Sequence, residues 1–149
     1  MKKLLILLGL SILLISCAQQ KQLVNSISCQ NKITVQYDNS KAKGVMAKGN
    51  KKSVIVFFMN DFNDKIKGYI NGKQKFSGEV LTNETSGKSD KNFAYDYSND
   101  KTLPILKIEK EDGSCFDIKI KKQYRLIYVF YDSHQQWIVR FSNKYYVDN

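Results

Sequence analysis

Few residues in this chain have types and spacings that could do chemistry, and most of those fall in turns. The single histidine, His134, stands in Asp132-Ser133-His134-Gln135 between two apolar segments. A Ser-His-Asp device for acyl transfer needs that imidazole in a cleft. A polar turn recruits these residue types without any catalytic reason, and His134 reads as a surface turn. Asp61 and Asp64 flank Phe62, while Glu109, Glu111 and Asp112 cluster further on. Paired carboxylates can cleave glycosidic bonds when one is protonated and the other ionised, yet acidic residues are also ordinary turn formers. Asn60-Asp61-Phe62-Asn63-Asp64 offers oxygens to a calcium ion but lacks the glycine and terminal glutamate of an EF-hand loop. No His-Glu-x-x-His, zinc-ligand spacing, phosphate-binding glycine loop or nucleophile elbow occurs. The expectation is a protein that is not an enzyme, with no catalytic residue, no metal site and no cofactor.

The remaining chemistry is charge. Lys119, Lys121, Lys122 and Arg125 gather with Tyr124 where one apolar segment gives way to the next. Such a group can grip an anionic headgroup, a glycan phosphate or an acidic protein surface. It equally guards a sheet edge against aggregation, a routine use of lysine. The formal net charge is +10. Most lysines are dispersed (Lys41, Lys43, Lys48, Lys51, Lys52, Lys65, Lys67, Lys73, Lys75), as on any solvated exterior.

The first residues carry an address. Lys2 and Lys3 precede an apolar run, Leu4 to Ile15, broken only by Gly9 and Ser11. The run is shorter than the roughly 20 residues that span a bilayer, so it reads as a signal peptide over 1–16. Its end, Leu14-Ile15-Ser16-Cys17, resembles a bacterial lipobox. The resemblance covers the leader alone. It implies cleavage before Cys17, lipid (palmitate among the acyl chains) on that cysteine, and a membrane-tethered mature protein in the cell envelope. In families with this leader an aspartate after the cysteine often marks inner-membrane retention. Ala18 stands there instead, which favours an outer membrane where the cell has two.

Export gives the other cysteines a context. Cys29 and Cys115 form an even pair outside the cytoplasm, which suggests one disulfide; two free thiols are the alternative. In Ser114 to Ile120 the apolar Phe116, Ile118 and Ile120 share one face, so alternation turns Cys115, Asp117 and Lys119 toward solvent. A bridge would then clip the leading segment across an outer face or an edge. Export also makes nucleic acid a poor partner for the basic surface.

About 130 residues follow the leader, enough for one domain with a core. Residues 17–28 are polar and without period, a lipidated tether; residues 29–149 form the domain. Ile33, Val35 and Tyr37 alternate in a strand. Val54 to Met59 and Tyr124 to Tyr131 are continuous runs of β formers, as in central strands covered on both faces. Asn71-Gly72 and Asp112-Gly113 are hairpin signals. Further strands are expected at Lys65 to Ile70, Lys73 to Val80, Phe93 to Tyr97, Leu103 to Glu109, Ser114 to Lys121 and Gln136 to Ser142. No helix is expected. The pattern is an all-β, single antiparallel sandwich of about eight strands, with a closed barrel as alternative. In general pattern it resembles transthyretin-like and immunoglobulin-like envelope sandwiches, although Trp137 lies outside the cysteine pair.

Fold alone does not give function. The expected role is a non-enzymatic binding or envelope-assembly module, tethered to a membrane and facing an envelope protein. A second reading is a surface binder of a small ligand or glycan, using Tyr95, Tyr97 or Trp137. Trp137 alternates with Val139 and Phe141, which favours its burial.

Overall fold

A computed structural model describes residues 20–25, 28–29, 31–39, 46–47 and 52–146. The leader, Cys17, and Lys41, Lys43, Lys48 and Lys51 lie outside the described residues. The described chain is all-β, without a helix, in two sheets. The first sheet has six strands: β1 (Gln20–Asn25), β2 (Lys32–Tyr37), β3 (Ser53–Phe58), β7 (Asn92–Asp96), β10 (Leu126–Tyr131) and β11 (Trp137–Ser142), in the order β1-β2-β11-β10-β3-β7. The second has β4 (Asn63–Ile70), β5 (Lys73–Asn83), β6 (Lys88–Ser89), β8 (Ile105–Lys110) and β9 (Cys115–Lys119), in the order β6-β5-β4-β8-β9.

Two expectations need correction. Among the described residues there are eleven strands in place of about eight: nine fall on the expected segments, and β1 and the two-residue β6 add edges that carry no apolar alternation. The sandwich is also not purely antiparallel: β10 pairs with β3, and β11 with β2, in parallel. The partners are distant in sequence, and the apolar runs of β3 and β10 mark strands covered on both faces without specifying a neighbour or its direction. One face of β3 (Val54, Val56, Phe58) enters the main core. Ile55 and Phe57 on its other face pack with Leu126, Tyr128 and Tyr145. The Tyr128 hydroxyl donates to the Lys144 carbonyl at 3.0 Å and accepts the Tyr146 N–H at 2.9 Å. The C-terminal segment is thereby strapped across the outer face.

The main core joins both sheets. Val35, Val56, Val129 and Phe141 of the first sheet cluster with Ile66, Val80, Ile108 and Phe116 of the second. Trp137 lies at its centre, against Tyr131 (4.8 Å between ring centroids) and Phe116 (5.1 Å). Asn71 and Gly72 take φ of 49° and 74°, as the two-residue hairpin of β4 and β5 requires. Gly113, at φ 85°, turns β8 into β9.

The stretch 17–28, expected as a tether, contributes β1, which pairs antiparallel with β2 from Gln20 opposite Tyr37 to Asn25 opposite Lys32. An edge strand is held by backbone hydrogen bonds and needs no apolar period, so polar Gln and Lys residues gave no signal. The outer face of β9 also differs from expectation. Asp117 is 4% exposed, not solvated. Ser28, Cys29 and Asn31 cover that side: Ser28 donates to Asp117, Cys29 is bonded to Cys115 (Cα atoms 5.7 Å apart), and the Asn31 amide donates to the Cys115 carbonyl. Only Lys119 of that face is exposed.

Candidate functional site

The registers define two ends of the molecule. Gln20 lies opposite Tyr37, Tyr37 beside Phe141, Ile127 opposite Phe141, Leu126 beside Ile55, and Ser53 opposite Asp96. One end of the first sheet therefore holds the start of β1, the ends of β2, β11 and β7, and the starts of β10 and β3. The second sheet contributes Ile105 opposite Lys119 and the connection from β9 to β10.

All four residues of the expected basic patch lie at this end. Lys119 is exposed on edge strand β9, Lys121 and Lys122 follow it, and Arg125 precedes β10. Tyr124, grouped with them in the sequence, is instead buried against Tyr37 and Phe141, with its hydroxyl donating to Asn39. Burial, foremost, pushes the Tyr124 phenol above its ordinary pKa.

Lys122 lines a cavity of about 160 Å³ with Lys52, Tyr97, Asp100, Lys101 and Thr102. The pieces are locked together by backbone bonds. The Tyr97 N–H donates to the Lys52 carbonyl at 2.7 Å, and the Ile55 N–H to the Arg125 carbonyl at 2.9 Å. Tyr97 is 3% exposed; burial raises its phenol pKa, partly countered by the charge of Arg125. Asp100 accepts the Tyr95 hydroxyl at 3.1 Å. Lys65, Lys91, Lys107 and Lys110 each meet a carboxylate. Among the described residues none pairs with Lys52, Lys101 or Lys122. The cavity is thus a half-open basic pocket, suited to a group with negative charge and several acceptor oxygens.

Sequence reasoning missed Lys52 and Lys101 as partners of Lys122. They stand apart along the chain and meet because β3 runs parallel beside β10, a pairing that no local pattern specifies.

The other candidates lie elsewhere. Asp61 lies in the turn from β3 to β4 at the opposite end, at φ 66°, and Asp64 at the start of β4 opposite Val80. Asp64 meets Lys110 at 3.3 Å and Asp112 meets it at 3.5 Å. Glu109 pairs with Lys107 at 2.8 Å, and Glu111 with Lys65 at 3.7 Å. Burial works to raise the Asp112 pKa, but hydrogen bonds from Ser114 and the Lys110 charge outweigh it and hold the carboxyl low. Among the described residues no group of three or more His, Cys, Asp or Glu could hold a metal ion. His134 is exposed in the turn from β10 to β11, its N–H given to Asp132 at 2.9 Å.

Of the aromatic residues considered for ligand binding, Trp137 is 1% exposed inside the core and lines no surface. Tyr95 is half-buried beside Lys75, whose ammonium lies 5.3 Å from its ring centroid. Only Tyr97 reaches the basic pocket. Among the described residues no helix is long and apolar enough to cross a membrane. In comparisons with known proteins, the chain matches no family model, no curated protein and no solved structure.

Proposed function

We propose that this chain is a bacterial lipoprotein of the cell envelope, cleaved before Cys17, lipidated there, and working as a non-enzymatic binding or envelope-assembly module. The observation that supports the reading is the way the N-terminal chain joins the body. β1 starts three residues after Cys17 and is laddered to β2, and the following Cys29 is bonded to β9 of the other sheet. Force on the anchor passes into both sheets, which suits a rigid body held at a surface and presented to a partner. In a cell with two membranes the outer one is the expected home, since Ala18 follows Cys17.

Crosslinking the lipidated chain in its own membranes, followed by capture and mass spectrometry, tests the role. A stoichiometric envelope protein is expected. Recovery of lipid and abundant porins alone counts against assembly.

The second reading, a binder of small ligands or glycans, draws on the pocket beside Tyr97. Its volume, about 160 Å³, falls below the roughly 300 Å³ at which pockets enclose drug-sized ligands. It fits one anionic group better than a sugar chain.

A further inference from the structure

We infer that the end of the body bearing Lys52, Lys101, Lys119, Lys121, Lys122 and Arg125 docks on an anionic bilayer, with lipid phosphate seated at the basic pocket. The inference deepens the lipoprotein reading and rests on it. It arises from a juxtaposition. By register, Gln20 begins β1 at the same end of the first sheet as Ser53, Arg125 and Tyr97. Only Ala18 and Gln19 separate Gln20 from Cys17. Three residue steps reach at most about 11 Å. A lipid on Cys17 therefore brings the β1 corner of this end, and not the opposite end, to within about a Debye length of the headgroups at 0.1 M salt. The pocket, across the sheet beside β3 and β7, meets them when this end lies flat on the surface.

The charge at that end fits the surface it would meet. Its carboxylates Asp38, Asp96 and Asp100 accept hydrogen bonds from Ser142, Ser98 and Tyr95 and keep their charge, but the six cations at the same end outnumber them. Lys52, Lys101 and Lys122 converge on the pocket with no carboxylate partner among the described residues. At the opposite end, Lys65 and Lys110 pair with Glu111, Asp64 and Asp112. Each cation near an anionic leaflet adds attraction to that of the acyl chains, and an anchor with a polybasic patch is the usual two-part attachment. The same docking leaves the turns Asn60 to Phe62, Glu111 to Ser114 and Asp132 to Gln136 facing away from the membrane, toward a partner.

The test uses the full lipidated chain purified from its own membranes, with intact mass reading the state of Cys17. The protein is reconstituted in phosphatidylcholine vesicles with or without phosphatidylglycerol and treated with a water-soluble amine-acetylating reagent. Peptide mass spectrometry reads each lysine. Lys52, Lys101, Lys119, Lys121 and Lys122 are expected to react about threefold or more slowly in the anionic vesicles, with the effect lost at high salt. Lys65 and Lys91, whose side chains are 63% and 46% exposed at the far end, should not change. The double variant Lys101→Glu, Lys122→Glu should remove the protection of Lys52 and Lys119 while Cys29 and Cys115 remain bridged.

Equal rates in both vesicles on a lipidated chain overturn the docking and leave the lipoprotein reading standing. Protection by millimolar inorganic phosphate in detergent, with no effect of vesicle charge, also overturns it and assigns the pocket to a free anion. An unmodified Cys17 overturns the lipoprotein reading and the docking together.

Discussion

Ser28 donates both its backbone N–H and its hydroxyl to the carboxylate of Asp117, at 3.0 and 2.8 Å, although the two residues stand 89 positions apart. Asp117 lies on edge strand β9, and Ser28 follows β1 of the other sheet. The contact closes one side of the molecule beside the disulfide. Asp117→Ala removes the acceptor of two donors in a part-buried seam and is expected to cost about 1–3 kcal/mol. The urea midpoint reads it, and an unchanged midpoint would mean that the seam carries no stability.

Cys29 and Cys115 close a loop with a sequence separation of 86. Loop-closure entropy in the unfolded chain gives about 4–5 kcal/mol for that span as an upper figure. The pair Cys29→Ser with Cys115→Ser should lower unfolding stability by about 2–5 kcal/mol. Reductant should lower the midpoint of the natural protein and leave that of the double variant unchanged.

Gly68 of β4 has no room for a side chain. A Cβ there would lie 2.9 Å from the Phe93 ring and 3.2 Å from Phe76 Cβ. Phe93 belongs to β7 of the first sheet and stacks on Phe76 of the second at 5.5 Å between centroids. Gly68→Val must push that stack apart, at a cost of about 1–3 kcal/mol. Gly78→Val, with only one ordinary contact at 3.6 Å, should cost less.

Lys110 is 8% exposed, 3.3 Å from Asp64 and 3.8 Å from the Tyr131 ring centroid. Burial opposes its charge, but Asp64, Tyr131 and Asp112 outweigh it and raise its pKa. A raised folded value means that the stabilisation is complete below the unfolded pKa, near 10.4, and is lost as pH rises through the folded one. Burial raises Tyr128 as well, so the unfolded chain releases that phenolic proton first and adds to the same loss. The urea midpoint should stay flat in the Lys110 and Tyr128 contributions up to about pH 10 and fall beyond it. Lys110→Met should flatten part of that fall. It should also cost about 1–3 kcal/mol near neutrality, less than for a fully buried pair because Asp64 and Asp112 keep access to water.

What the chain disclosed beforehand follows from which interactions are local. Asn71-Gly72 announced its hairpin because the turn itself demands positive φ at both residues. Val54 to Met59 and Tyr124 to Tyr131 announced the buried strands β3 and β10 by composition, and Trp137 its burial by alternation. The parallel pairing of β3 with β10 was hidden, since register between distant strands leaves no local mark. For the same reason Lys122 was recognised as part of a basic group while its pocket companions Lys52 and Lys101 were not. β1 was missed because Gln20–Asn25 shows no apolar alternation, and Asp117 was misread because its cover comes from Ser28 and its neighbour Cys29, distant in sequence.

Membrane attachment rests on Cys17, and the decisive measurement is mass spectrometry of the mature N-terminal peptide from the protein's own membranes. The expected result is a chain beginning at Cys17 with a diacylglyceryl thioether on its sulfur. A chain cleaved elsewhere, or one carrying a free Cys17 thiol in the soluble fraction, would contradict it.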